Sequence, residues 1–142
     1  MKIRTPMPSL DGDELIINER ALTKDISNIT LIYFWSISCN QCETSIIKLK
    51  ELQQLFQNKL TIIAIHMPRS EEDKDVKAIK SKLKQLAIAL PVYVDQHLRL
   101  TNAFENRFVP AYYLFDKEKK LRFYQAGVPS KKLLQQKIER FI

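Results

Sequence analysis

Two short apolar runs, spaced for one intervening helix, constrain the fold of this chain more than any other feature of its sequence. The runs are residues 30–35 and 60–65, and β-branched, leucine or aromatic side chains fill most of both. Such a run is typical of a strand covered on both faces, as in a parallel or mixed sheet. Between them, residues 39–56 carry apolar side chains at helical spacing. The sequence therefore predicts a βαβ unit with a right-handed crossover.

The remaining elements predict an α/β fold with a central mixed sheet and helices on both faces. A second amphipathic helix follows within residues 70–86, with Ser70 as its expected N-cap and acidic side chains in its first turn. A last helix is expected after Ser130. The other expected elements are short strands at 15–17 and 91–94, a brief helix at 98–104, and an antiparallel hairpin of strands at 111–115 and 121–125. The first 29 residues are otherwise mixed and turn-rich and form a short N-terminal extension.

Composition indicates one ordinary globular domain over residues 1–142. The 142 residues are 45% apolar and 27% charged, which excludes intrinsic disorder as the main state. Residues 101–142 hold nine basic and four acidic side chains, so +5 of the formal net charge of +7 lies there. These basic residues lack interleaved aromatic platforms, and we expect no nucleic-acid partner.

Targeting signals are absent from the sequence as given. Its N-terminus lacks an apolar core, and no stretch approaches the roughly 18 apolar residues of a membrane span. We therefore expect a cytoplasmic protein without a membrane segment, and a monomer. In a reducing compartment, two closely spaced cysteines are catalytic or metal-binding rather than structural.

The only two cysteines form the motif Cys39-Asn40-Gln41-Cys42 at the start of the first predicted helix. Unpaired N–H groups and the positive end of the helix dipole favour a thiolate there, which lowers the pKa of the first cysteine. The second cysteine lies one turn inside the helix, close enough to attack a mixed disulfide on the first. Thiol–disulfide exchange needs one attacking and one resolving thiol. The placement therefore favours redox chemistry, with Cys39 as nucleophile and Cys42 as resolving cysteine.

Two other interpretations of the cysteine pair stay open. Zinc normally takes four ligands, and the sequence has no second CxxC motif, so His66 and His97 would have to complete a site through folding, or two chains would have to share the metal. The cysteines could also be buried and inert. We predict no metal and no cofactor.

The segment Phe34-Trp35-Ser36-Ile37-Ser38 and the CxxC motif that follows resemble the active site of thioredoxin-fold proteins. The resemblance is to TlpA-like thiol-disulfide oxidoreductases, and among these to the DipZ-like branch. Matching segments recur in the same order at residues 63–68, 90–95 and 102–116, so the resemblance covers about residues 8 to 127. It implies a thioredoxin-like fold and exchange of disulfides with a protein or small thiol substrate. The electron donor is not identified by it.

The resemblance also implies a cis peptide bond between Val109 and Pro110 that packs against the cysteines. Cis bonds before proline are uncommon and are specific features where they occur. The backbone of Val109 would then pair with an extended segment of the substrate. From the sequence alone, Pro110 is a proline that begins a strand, and the alternative interpretation is that it is trans and structural.

The chain departs from the family pattern where carboxylates are common. Tyr33 stands where thioredoxins often have an Asp, and Ser45 stands where some TlpA-like enzymes have a Glu. Ile47 replaces a helix proline, Ser38 a tryptophan, and the proline often found between the cysteines is missing. The groups that usually deprotonate the resolving cysteine are therefore absent.

His66 is the candidate substitute, because it ends a predicted core strand at the edge where such sheets carry their sites. Its imidazole titrates in the range needed for proton transfer. The alternative is a histidine hydrogen-bonded within the strand-end loop. Trp35 is expected to line the core or the site wall, and His97 to be exposed.

Two further functions use a similar fold. A peroxiredoxin-like peroxidase would need a Pro-x-x-x-Thr-x-x-Cys pattern, and residues 30–39 contain no proline. A copper-carrying chaperone would use thiolates, which select Cu(I), but it usually has wider cysteine spacing and a His within residues 112–115, where none occurs.

Overall fold

A mixed six-stranded sheet forms the centre of the protein. The computed structural model describes residues 1–22 and 28–142, so part of the turn-rich segment, residues 23–27, lies outside the described residues. The strands are β1 (Leu15–Ile17), β2 (Ile29–Trp35), β3 (Leu60–His66), β4 (Val92–Val94), β5 (Ala111–Phe115) and β6 (Leu121–Ala126). Their order is β1-β4-β3-β2-β5-β6. Strands β2, β3 and β4 are parallel, and β1, β5 and β6 are antiparallel to their neighbours. The predicted mixed sheet and hairpin are confirmed.

Three helices cover one face of this sheet. They are α1 (Asn40–Phe56), α2 (Val76–Gln85) and α4 (Lys131–Phe141), whereas α3 (Arg99–Ala103) lies on the other face. Apolar residues of α1, α2 and α4 join those of the strands in one buried cluster that also contains both cysteines. Because α1 and α2 each connect two parallel strands in the same direction along the sheet, they lie on the same face. The predicted βαβ unit is confirmed.

The opposite face is covered by α3 and by the N-terminal extension. Leu100 of α3 and the adjacent Phe104 are buried there, and Met1, Met7 and Leu10 pack against the same cluster. The extension also pairs with the hairpin, since the N–H of Arg4 donates to the carbonyl of Leu121 at 2.7 Å and Pro6 forms a bridge with Lys120. The extension is therefore part of the core rather than an appendage.

The predicted N-cap of the second helix is wrong. Helix α2 begins at Val76, and its cap is Asp75, whose carboxylate accepts hydrogen bonds from the N–H groups of Lys77 and Ala78. Ser70 lies in the loop before a short 3₁₀ turn. The turn buries Asp73, whose carboxylate accepts hydrogen bonds from the hydroxyl of Ser38 and from the backbone N–H of Arg69. That tertiary contact outweighs the local capping preference of Ser70. Ser130, in contrast, caps α4 as predicted.

The strand register brings the candidate residues to one edge of the sheet. Trp35, the last residue of β2, pairs with His66, the last residue of β3. On the other side of β2, Phe34 pairs with Ala111, the first residue of β5, so Pro110 lies at the same edge. None of the helices in the described residues has the length and apolar character needed to cross a bilayer.

Candidate active site

The two cysteines lie at the N-terminus of α1 and are joined by a disulfide bond. Cys39 is the N-cap residue, in extended conformation, and Cys42 lies in the first turn; their Cα atoms are 5.3 Å apart. Cys39 is 8% exposed, whereas Cys42 is completely buried. An incoming sulfur can therefore reach Cys39 more readily than Cys42, which agrees with the predicted division of roles.

Each of the three residues before Cys39 is hydrogen-bonded to the last residue of β3 or to the segment that follows it. We call these residues, 36–38, the Cys39 loop. The hydroxyl of Ser36 donates to the carbonyl of Met67, and the N–H of Ile37 donates to Nε2 of His66 at 3.2 Å. The hydroxyl of Ser38 donates to Oδ2 of Asp73 at 2.8 Å. These contacts fix the approach of the chain to Cys39 and thus the position of its sulfur.

His66 is buried and neutral at physiological pH. Burial lowers the pKa of its imidazole to about 4, although the nearby carboxylate of Asp73 acts in the opposite direction. Since Nε2 accepts a hydrogen bond from Ile37, the proton of the neutral ring lies on Nδ1. The ring also meets Trp35 edge-on, with the ring centres 5.0 Å apart. These features favour a role in holding the Cys39 loop over a role in proton transfer.

A pair of buried hydroxyls lies at the carbonyl of Cys42, at two of the positions where this sequence departs from the family pattern. The hydroxyls of Tyr33 and Ser45 share a hydrogen bond of 2.5 Å, and both lie within hydrogen-bonding distance of the carbonyl oxygen of Cys42, at 3.2 and 3.1 Å. Burial raises the pKa of Tyr33, with a smaller contribution from Tyr112, so its hydroxyl stays protonated. These two departures from the family pattern therefore form one neutral, hydrogen-bonded pair.

The peptide bond between Val109 and Pro110 is cis, as the resemblance implied. Pro110 is buried and its carbonyl accepts a hydrogen bond from Gly127 at 2.8 Å. Val109 packs against the cluster that contains both cysteines. Its backbone N–H and C=O form no hydrogen bond within residues 1–22 and 28–142. The adjacent Phe108 is 58% exposed.

Charged residues around Cys39 were not identified from the sequence. A small cleft beside Cys39 is lined by Trp35, and an ion pair between Glu43 and Lys82, 3.4 Å long, lies in it. The side chain of Arg69, in the loop that follows β3, donates hydrogen bonds to Ser38 of the Cys39 loop. Charged residues in surface segments show no distinctive pattern in the sequence. Only the tertiary structure brings Glu43, Lys82 and Arg69 near the segment around Cys39.

Other parts of the structure offer less for the predicted chemistry. A cavity of about 460 Å³ near the beginnings of β3 and β4, at the opposite edge of the sheet, contains neither cysteine and borders residues 21 and 28. In the part of the chain that the structure describes, no group of three or more His, Cys, Asp or Glu side chains could hold a metal ion. His97 is exposed.

Comparisons with known proteins agree with this geometry. The chain is 41% identical over 144 residues to the thiol-disulfide oxidoreductase YkuV of Bacillus subtilis, covering 100% of this chain and 97% of that protein. It is 27% identical over 100 residues to protein DipZ of Mycobacterium tuberculosis, covering 70% of this chain but 14% of that protein. A thioredoxin-like protein solved in solution in its oxidized form superposes with a TM-score of 0.86 at 40% identity, over 99% of this chain and 97% of that one.

The fold and the family can therefore be stated. The structural match shows the thioredoxin-like fold that the sequence predicted. The sequence profile described as the AhpC/TSA family matches residues 3–124, which include the Cys39 loop, both cysteines and the cis-proline. The chain belongs to the AhpC/TSA family.

Proposed function

We propose that this protein is a thiol-disulfide oxidoreductase. The observation that carries the proposal is the disulfide between a helix-capping, slightly exposed Cys39 and a buried Cys42 one turn further on. The positive end of α1 stabilises a thiolate at Cys39. The likeness to YkuV, which spans the whole chain and carries this activity in its name, supports the same conclusion.

In the reducing direction, the reaction consists of two exchanges. The thiolate of Cys39 attacks one sulfur of the substrate disulfide, that S–S bond breaks, and the departing sulfur leaves as a thiolate that takes a proton. The thiol of Cys42 then loses its proton and attacks the sulfur of Cys39, which releases the second substrate thiolate. The substrate gains two electrons and two protons, and the enzyme ends with the disulfide between its cysteines. A dithiol donor restores the reduced enzyme by the reverse exchange.

The proton of Cys42 needs an acceptor outside the buried hydroxyl pair. Tyr33 and Ser45 are neutral, and the lone pair of His66 on Nε2 is occupied by the N–H of Ile37. We infer that the departing substrate thiolate or water accepts this proton. The pH dependence of the second exchange would then follow the thiols and not a buried carboxylate.

The substrate is proposed to bind as an extended segment beside the cis-proline. The unpaired backbone groups of Val109 offer one N–H and one C=O for strand-like pairing, and the exposed ring of Phe108 offers apolar contact area. Buried Pro110 supports the turn that presents Val109. Trp35, buried at the edge of β2, forms a wall of the site next to Cys39.

The reduction potential tests both the activity and its direction. We expect a value of about −270 mV when the protein is equilibrated with a dithiol buffer, together with reduction of a disulfide-containing protein such as insulin. A value near about −120 mV would make the protein an oxidant, and would contradict the cytoplasmic reductase that the sequence predicts. Stoichiometric zinc or copper that protects both thiols would instead support a metal carrier, and rapid turnover of hydrogen peroxide would support a peroxidase.

Tyr33→Phe tests the hydroxyl pair beneath Cys42. We expect the free energy of unfolding to fall by about 1 kcal/mol, because Ser45 and the carbonyl of Cys42 lose a buried hydrogen-bonding partner while the ring stays in place. Urea denaturation of the oxidised protein measures the change. Tyr124→Phe removes a hydroxyl from a half-exposed side chain in β6 and should cost less. Equal losses for the two variants would show that the Tyr33 hydroxyl makes no special contribution.

A further inference from the structure

We propose that Arg69 recognises a carboxylate beside the disulfide of a protein substrate, and so gives the enzyme a preference for acidic sequences around its target cysteine. The inference rests on the proposed oxidoreductase function and names a substrate class for it. It comes from a charged side chain at the edge of the Cys39 loop that the exchange reaction itself does not use.

The guanidinium of Arg69 is held by hydrogen bonds at Ser38, the residue that directly precedes the nucleophile. Its Nε and Nη2 atoms donate to the hydroxyl oxygen of Ser38 at 3.2 and 3.0 Å. Ser38 directly precedes Cys39, and its own hydroxyl donates to the buried carboxylate of Asp73. The backbone N–H of Arg69 donates to the same carboxylate at 2.9 Å. Backbone and side chain of Arg69 are therefore both positioned, which reduces the entropy lost when a ligand binds.

The remaining edge of the guanidinium is available. An arginine side chain has five N–H donors, and Ser38 uses one from Nε and one from Nη2. No other hydrogen bond of this guanidinium is formed within residues 1–22 and 28–142, and the residue is exposed. The free edge, made by Nη1 and the second N–H of Nη2, has the planar geometry that binds both oxygens of a carboxylate.

The charge of Arg69 is not cancelled by an ion pair in the described part of the chain. The carboxylate of Asp73 is engaged by the Ser38 hydroxyl and by a backbone N–H, and forms no ion pair with the guanidinium. Glu71, two positions along the chain, pairs with Lys74, and Glu43 in the cleft beside Cys39 pairs with Lys82, whereas Glu72 is exposed and forms no contact with the guanidinium among the described residues. Arg69 therefore presents a cation to any partner whose sulfur approaches Cys39.

Contact between Arg69 and a substrate follows from the reaction geometry. A substrate sulfur must come within bonding distance of the sulfur of Cys39. Arg69 is hydrogen-bonded to Ser38, the residue immediately before Cys39. We therefore expect side chains that flank the substrate cysteine to pass within reach of the free edge of the guanidinium. An acidic side chain there forms a charge-assisted pair, whereas a basic one is repelled.

Three peptide disulfides that differ only in the residue beside the cysteine, Glu, Gln or Lys, test the proposal. For the wild-type protein at about 0.02 M ionic strength, we expect kcat/KM to be about 3- to 10-fold higher with Glu than with Gln, and lowest with Lys. The preference should largely disappear at about 0.5 M salt. In Arg69→Gln, the ratio of kcat/KM for the Glu peptide to that for the Gln peptide should fall to about 1, and Arg69→Lys should retain part of the preference. Lys80→Gln, which removes an exposed charge from α2, should keep the wild-type ratio.

Several outcomes would overturn the proposal. Equal kcat/KM values for the three peptides with the wild-type protein would exclude charge recognition at this position. A uniform loss with all peptides in Arg69→Gln would mean that Arg69 acts only by holding the Cys39 loop. Glutathione disulfide, which also carries carboxylates, forms a separate arm: an Arg69-dependent rate with it alone would contradict the assignment to protein substrates. Exchange with none of these substrates in the wild type would instead refute the proposed function.

Discussion

Replacement of Cys42 by Ser is expected to convert the enzyme into a trap for its substrate. In Cys42→Ser the thiolate of Cys39 still attacks, but nothing resolves the mixed disulfide, so a covalent complex accumulates that a reducing agent releases. In Cys39→Ser the remaining thiol is completely buried, and no complex should form. Both variants should lose essentially all turnover. Non-reducing electrophoresis and mass spectrometry after incubation with a disulfide-containing substrate measure the complex.

The contrast between the two variants tests the assignment of roles. A complex in Cys39→Ser and none in Cys42→Ser would reverse the roles of nucleophile and resolving cysteine. The double serine variant is the control for non-covalent association. Its circular dichroism should match that of the single variants, which separates loss of chemistry from loss of fold.

Acid is expected to destabilise the wild-type protein through His66. The pKa of this histidine is about 6.5 in the unfolded chain, where it is exposed, and about 4 in the folded protein, where burial opposes the charge. Between these values the unfolded state binds more protons, so the free energy of unfolding falls as the pH decreases from 6.5 to 4. The loss contributed by His66 is about 3 kcal/mol once the pH is below 4.

His66→Gln should remove this part of the acid dependence. Its side-chain carbonyl can accept the hydrogen bond from the N–H of Ile37, and it does not titrate. Because the variant also loses the ring contact with Trp35, the test compares changes in unfolding free energy between pH 7 and 4 and not absolute values. His97→Gln, which removes an exposed histidine, should behave as the wild type does. Identical acid dependence in His66→Gln and wild type would contradict the prediction.

The same variant separates the two roles considered for His66. If the imidazole transferred a proton during exchange, His66→Gln would shift the pH profile of the rate. We expect an unchanged profile between pH 6 and 8, because a ring with a pKa of about 4 whose Nε2 is occupied is a poor proton acceptor there. A shifted profile at normal stability would restore His66 as the substitute for the missing carboxylate.

Local patterns were sufficient to predict most elements of the fold. Residues 30–35 and 60–65 form the central parallel strands because a continuous apolar run of this length is stable only when both of its faces are covered. Ser130 caps α4 because the first turn of this helix contains no other Ser, Thr, Asp or Asn that could accept the hydrogen bond in its place. Ser70 does not cap α2. The hydrogen bond between Asp73 and Ser38 holds residues 72–74 in a separate 3₁₀ turn, so the helix begins later and Asp75 caps it.

Some features of the candidate site could likewise be predicted from local sequence patterns, and others could not. The position of Cys39 and Cys42 at a helix N-terminus follows from spacing and periodicity, and so does the expectation that the first is the reactive one. The sequence shows that Tyr33 and Ser45 differ from the family pattern, but it does not show that they contact each other. That contact requires β2 and α1 to pack at a specific separation.

By itself, the amino-acid sequence determined the mixed sheet, the crossover helix and a redox-active pair of cysteines at its start, because these depend on side-chain periodicity and short-range spacing. Only the tertiary structure decided that His66 supports the Cys39 loop, that neutral hydroxyls lie at the carbonyl of Cys42, and that Arg69 binds the residue before the nucleophile. These features join residues that are 12 to 31 positions apart. Hydrogen bonds and charges act over a few ångströms, so their partners are selected by packing and not by order along the chain.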